Sequence, residues 1–550
     1  MTEKYERFII GDKAVIPYGE TEIEDEAFLF CDRITSVEIP ESVTRIGNHA
    51  FERSSIETIV IPHSVESIGY RAFHGCSLLS VVIPNSVRII EGSAFATCTK
   101  LTSLVIPNSV QQIRAWAFAY CRSLTSIILP KQLQKISTGL FYYCSSLETI
   151  IIPESVEIIK GDAFYNCSRL ESITIPESVK HIGNNAFYNC ENLVSIDIKA
   201  HDIVFSPSVF SHCSKLTSIS IPSSVKRIDK KLFFGCHRLE GFEIPESVNS
   251  IGESAFGFCE ALRSIKIPDS IQRIENSAFQ SCRNIEAIDI PSSVSYIGKQ
   301  AFKNCTKLAS INLPASITSI ESEAFFDTKI SSIVIPNTVQ SIGTCAFAHC
   351  WDLTSIEIPD SVTSIGDSAF YHCIGLTSIE IPDSVQTIEN RAFYHCTELT
   401  SIAIPYSVQY IDNGVFDECV GLTSIMFPNS IKSIGARAFR HCHNLISVII
   451  PDSVLSIGDG AFEGCTKLSS VYIPDSIEEL PDNVFSSCDG LQSVYLKSSH
   501  PNDLISKALS KYASRISLHV PVGSGYRYRH QNGFEVFKEI LADFYPERSQ

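Results

Sequence analysis

Pro359 to Ile381 reads P-D-S-V-T-S-I-G-D-S-A-F-Y-H-C-I-G-L-T-S-I-E-I, and the same pattern starts again at Pro382. Followed in both directions, the register holds from Pro17 to Leu496 and gives 21 consecutive units, 18 of 23 residues and three of 22. A repeat of this period is the signature of a stacked array, in which function is sought in how the copies differ. A Phe fills one column in all 21 units, from Phe28 through Phe370 to Phe485. A surface position has no need of the same large ring in every copy, so the column reads as a continuous buried spine.

The segment Leu376 to Ile381 alternates apolar and polar residues near its end, the period of a half-buried strand. Pro382 lacks a ladder donor and ends it. Ser384 to Ile388 supplies a second short extended piece. A-F-x-x-C-x-x-L then spaces its apolar residues for a single helical or 3₁₀ turn. One such unit cannot bury its own apolar side; only neighbours stacked on it make a core. The column after the second Ile holds Gly366 and Gly435, but also Glu91, Arg114, Lys160, Asp229 and Glu389. A backbone that demanded positive φ would not accept those residues so freely.

L-x-x-I-x-I, a Pro, then S-V-x-x-I-G-x-x-A-F-x-x-C resembles the BspA-like class of leucine-rich repeats. The resemblance covers Pro17 to Leu496, about 480 of the 550 residues. It implies a right-handed solenoid with a parallel sheet on its concave face and short helical turns elsewhere. Members of that class occur on bacterial and protist surfaces as adhesins or binding scaffolds. One unit departs from the pattern: Lys199 replaces Pro, Asp202 replaces Val, and Ser206-Pro207 replaces the Gly region. A local distortion is expected there.

A solenoid escapes the usual splitting of a 550-residue chain into globules by growing in one dimension. At ~4.8 Å per strand, the units would give a rod on the order of 100 Å along its inner face. The balance of 44 basic and 61 acidic residues, net −17, includes no basic stripe of the kind nucleic acid needs. No run of 18 apolar residues marks a membrane span, so no membrane insertion is expected. The start, Met1-Thr-Glu-Lys-Tyr-Glu-Arg-Phe8, has no apolar core of signal-peptide length. That favours an intracellular location, against the surface habit the resemblance implies.

Residues 1–16 read as an N-terminal cap with a hairpin through Phe8-Ile9-Ile10 and Ala14-Val15-Ile16. Residues 17–497 are the repeat array, uninterrupted by any linker, and 498–550 are a C-terminal capping segment. Within the last, Leu504, Ile505, Ala508 and Leu509 have helical spacing, with Asn502 or Asp503 as caps. Ile516 to Val520 alternates like a strand. A cap shields the apolar end and open strand edge of the last coil.

Nineteen of the 20 cysteines fall three residues after the spine Phe; Cys345 stands outside. Neighbours in that column fall within disulfide reach by Cα distance alone. One thiol per coil, with parallel Cβ directions, instead reads as a repeated small buried hydrophobe. His349, His372 and His395 precede ladder cysteines on successive coils, as do His212 and His441, and three stacked imidazoles raise the question of Zn²⁺ or Cu²⁺. Glu418 breaks that run, and no metal or other cofactor is expected. Ser361, Ser384 and Ser453 belong to a column that satisfies backbone groups at a bend. No candidate active site emerges.

The informative column lies between the two inward residues of each strand. It begins Glu38, Val60, Val82, Val105, Ile128, Ile151, turns polar and mostly acidic, and ends Glu357, Glu380, Ala403, Met426, Ile449, Tyr472, Tyr495. The N-terminal apolar block is equally well explained by β propensity. The C-terminal run of large side chains, with Tyr406 near it, looks more like a contact surface. The expected site is therefore Glu357, Glu380, Met426, Ile449, Tyr472 and Tyr495, with neither tyrosine in the core. The reading is a non-enzymatic scaffold that takes a protein or a glycan on its concave face, at a surface or secreted. The alternative is an intracellular interaction scaffold or regulator.

Overall fold

The computed structural model describes residues 3–544. Residues 1–2 of the expected N-terminal cap and 545–550 of the C-terminal segment lie outside the described residues. The chain is a parallel-sheet solenoid with little helix, most coils built from the same three pieces. Residues Ser355–Glu357 form the longer strand and pair in register with Ser378–Glu380 of the next coil. Residues Ser364–Ile365 form the shorter strand and pair with Thr387–Ile388. In the longer strand the middle residue is buried and its neighbours face outward, as the alternation requires.

The third piece is the turn at Ser368–Cys373, and its hydrogen bonds explain why it stacks. Alternate amides point two ways. Ala369, Tyr371 and Cys373 donate back within the coil, to the carbonyls of Gly366, Ser368 and Phe370. Ser368, Phe370 and His372 donate across to Asn390, Ala392 and Tyr394 of the next coil, at 2.8–2.9 Å. The turn thus has 3₁₀-type bonds without a continuous helix. Ser368 (φ 54°) and His372 (φ 58°) sit in the left-handed region to aim their amides outward. That conformation costs about 1–2 kcal/mol per residue, offset by the bond to the neighbouring coil. The Gly column has no such demand. A Cβ on Gly366 would lie 2.8 Å from Thr344 N, so the requirement there is close approach between coils.

Two side-chain columns fill the interior. The Phe rings are fully buried and stack nearly parallel: Phe347, Phe370 and Phe393 have centroids 5.6 and 5.3 Å apart. The column thiols are buried, and from Cys76 onward each donates to a Phe carbonyl of the preceding coil, as Cys373 Sγ does to Phe347 O at 3.1 Å. The same carbonyl accepts from Cys350 N. The cysteine is therefore both a small hydrophobe and a weak donor. Ser361 and Ser384 Oγ donate to Val339 O and Val362 O, as a bend serine should. Ser453 Oγ is buried with no hydrogen-bond partner among the described residues, so that reading does not extend to it.

The chain divides into two compact units, Met1–Ile271 with Ser281–Asn284, and Gln272–Gln280 with Ile285–Gln550. In the first, Ile9–Ile10 turns back antiparallel on Lys13–Val15, which pairs parallel with Ser36–Glu38. Tyr5 closes the spine, edge-on to Phe28 at 5.1 Å. The departure at Lys199 leaves Val204–Phe205 paired with His181–Ile182. The next coil forms no longer strand around Ile219. In the second unit, a helix Asp503–Leu509 is capped by Asn502, whose side chain accepts from Leu504 N. Strand Ser517–Pro521 continues the sheet beside Ser493–Leu496, and Glu539–Phe544 adds a last strand.

Candidate functional site

The outward column of the second unit is set by strand register. Val334 aligns with Glu357 and Glu357 with Glu380; Ala403 aligns with Met426; Ile449 aligns with Tyr472 and Tyr472 with Tyr495. All six expected residues lie on this face, but they line two separate grooves. Glu357 and Glu380 belong to one of about 660 Å³ with Asp289, Asn312 and Val334. Met426, Ile449, Tyr472 and Tyr495 belong to another of about 630 Å³. Ala403 separates them, and Glu380 stands two coils from Met426, about 10 Å along the sheet. The carboxylates flank the apolar groove without entering it. Side by side on neighbouring strands, Glu357 and Glu380 have no cation paired with them among the described residues, an arrangement that by itself destabilises a sheet.

Within the apolar groove the burial is uneven. Met426 is 80% exposed and Ile449 53%. The tyrosines are only half-buried rather than freely exposed. Their rings stack on each other at 4.2 Å, Tyr495 stacks on His519 at 4.3 Å, and Phe544 packs on Tyr495 and Tyr472 at 5.6 and 6.0 Å. Burial, then the neighbouring Tyr495, raises the Tyr472 hydroxyl above the ordinary tyrosine range. His519 is held in turn by Asp543, Nδ1 to Oδ1 at 3.0 Å. The last strand thus folds against the tyrosines and makes one wall of the groove. Their removal would disturb the end of the sheet as well as the surface.

Sequence reasoning missed several lining residues. Phe427 occupies a column that is otherwise Ile or Leu; it is half-buried and meets Phe439 edge-on at 5.5 Å. That substitution was visible in the sequence. His519 and Phe544 were not, because the segment beyond Lys497 has no repeat to fix its register. An ion pair between Lys497 and Asp452 forms part of the rim. Tyr406 is 73% exposed but does not line the groove. In the first unit the apolar block is left bare: Val60, Val82, Val105, Ile128 and Ile151 are 61–85% exposed.

The histidine run stacks as its spacing implied. His349 and His372 lie 5.1 Å apart and His372 and His395 4.3 Å. The planes are tilted by 33° and 21°, so in-plane lone pairs run alongside one another instead of converging. Among the described residues no group of three or more His, Cys, Asp or Glu is arranged to hold a metal ion. Burial, with His395 and His349 adding repulsion, pushes His372 down to about 4. His395 Nδ1 lies 2.7 Å from Glu418 Oε2. Burial pushes the Cys373 thiol well above its ordinary value, which suppresses the thiolate a nucleophile needs. No helix is long and apolar enough to cross a membrane among the described residues.

A family profile described as the BspA type leucine-rich repeat region (6 copies) matches over five overlapping stretches, residues 21–148, 134–249, 226–354, 318–444 and 409–521. The chain belongs to this family. Several solved leucine-rich-repeat structures are similar to it. One from Bacteroides ovatus is 28% identical over 75% of this chain and 88% of that one, TM-score 0.47. A leucine-rich cell surface protein from Faecalibacterium prausnitzii is 29% identical over 62% and 83%, TM-score 0.36. A leucine-rich repeat protein from T. pallidum is 32% identical over 31% and 71%, TM-score 0.23. No curated protein matches the chain. In a BspA-type repeat the Phe, Ile and Cys columns are consumed by the core, which leaves the outward strand column free to vary.

Proposed function

We propose that the chain is a non-catalytic binding scaffold, displayed at a cell surface or secreted, whose longer-strand face takes a protein ligand. Membership of the family supports the scaffold role and the location. The observation that carries the site is the contrast along one column: Met426 and Ile449 stand out of a serine floor, beside a groove walled by Tyr472, Tyr495 and Phe544. The tyrosine rings lie face to face at 4.2 Å and offer edges and hydroxyls. A sugar needs an open ring face, so the groove favours an apolar peptide side chain over a glycan. The uncompensated Glu357 and Glu380 favour basic residues flanking that anchor and faster encounter at low salt.

The test is selection of displayed peptides on the immobilised chain. Enriched sequences should combine an apolar or aromatic anchor with Lys or Arg. Met426→Ser and Ile449→Ser should each cost about 1–2 kcal/mol of binding with no change in melting temperature. A selection that yields no shared sequence, or peptides indifferent to both substitutions, contradicts the reading.

A further inference from the structure

A groove on the first unit has no part in that reading. It holds about 480 Å³ and is built from columns of the shorter strand and the turn after it. In the column that elsewhere carries Gly, successive coils place Glu91, Arg114, Ser137 and Lys160. Ser137 is buried and its hydroxyl is spent on Ile113 O. It opens a gap between Arg114 and Lys160, two coils or about 10 Å apart. Ala115 and Thr138 continue the low floor, and Lys135 stands beside it.

The walls are aromatic and seated by the backbone. Trp116 takes φ 63°, and its ring lies so close over Gly139 that a Cβ there would sit 2.2 Å from Trp116 Cε3. Tyr142 supports the indole edge-on at 5.0 Å. Tyr70 lies against Gly92 on the other side. In a chain of net charge −17, three cations here face one carboxylate. Arg114 Nε is paired with Glu91 at 3.0 Å. Lys135 and Lys160 have no ion-pair partner among the described residues.

We propose that this groove binds an acidic saccharide, with its carboxylate or sulfate between Lys135 and Lys160 and its ring against Trp116. Two free ammoniums supply compact charge that an anion can satisfy. Ser93, Gln112 and Thr138 line the same groove and suit a hydroxyl-rich ligand. A nucleobase would want a drier slot.

Only two tryptophans are present, so the full chain with Trp351→Phe reports on Trp116 alone. The probe is a sulfated, uronic-acid-containing heparin tetrasaccharide, with maltotetraose, inorganic sulfate and adenosine monophosphate as the other arms. The tetrasaccharide should shift Trp116 fluorescence saturably, and less so as salt rises. Lys135→Gln with Lys160→Gln should weaken it at least about tenfold at unchanged melting temperature, and maltotetraose should be silent. Silence of the tetrasaccharide, or binding indifferent to the double substitution, overturns the site. Sulfate or adenosine monophosphate binding as tightly as the tetrasaccharide overturns the ligand class.

Discussion

Replacing Phe370 by Ala removes one ring from a stack in which it meets Phe347 at 5.6 Å and Phe393 at 5.3 Å, with no solvent exposure. Loss of a buried Phe costs about 3–5 kcal/mol, cavity included. The two ring contacts make the upper half of that range the better estimate, since such pairs add about 0.5–1.5 kcal/mol each beyond burial. Coils couple mainly to their neighbours, so the damage should stay local. Its reporters are built in: Ser368, Phe370 and His372 donate across to the next coil and should exchange only when the coils part. Hydrogen exchange read by mass spectrometry should show these amides, and those of the adjoining turns, opening about 10²–10⁴-fold more often. Peptides around Phe462 should be unchanged. An increase below about twofold would correspond to less than half a kcal/mol and would refute the spine as the source of coil-to-coil cohesion.

Other outcomes follow from the same structure. Thiol titration of the unfolded chain should find all 20 cysteines free, while the folded chain should yield only half-buried Cys345 readily; many disulfides would contradict the packing and point to an oxidising compartment. His372 is held neutral in the fold at about 4, below the ordinary 6.5. Unfolding therefore takes up a proton between those values: stability should be full above about pH 6.5 and fall as pH drops toward 4. His372→Gln should flatten that part of a melting-temperature curve against pH, and an unchanged slope would assign it elsewhere. Ser384→Ala strips the donor from Val362 O and should cost about 1 kcal/mol in a denaturant melt, whereas Ser453→Ala, which has no bond to lose among the described residues, should cost less.

The spine, the strands and the thiol column were legible because the core imposes the same residue on every coil. Phe370 and Cys373 have no freedom that a neighbour does not also lack. The helix at Asp503–Leu509 and its Asn502 cap were legible for local reasons, spacing and side-chain chemistry. The left-handed residues of the turn were not. They are Ser368, His372, Arg391 and many other types, with Gly at only a few coils such as Gly139 and Gly235, because the bond that fixes them runs to the next coil and not to a neighbour in sequence. Likewise the half-burial of Tyr472 and Tyr495 depends on Phe544, some 50–70 residues away, in a strand whose register no repeat announces.

We propose that a protein partner sits on the outward face of the longer strands. Hydrogen-exchange footprinting of the chain with a selected peptide tests it most directly. Protection should concentrate in Ser424–Met426, Ser447–Ile449 and Ser470–Ile473, with a smaller effect in Glu539–Phe544, and should disappear with Met426→Ser and Ile449→Ser. Protection centred instead on the turns around Ser368–Cys373, with the strands unchanged, would contradict it.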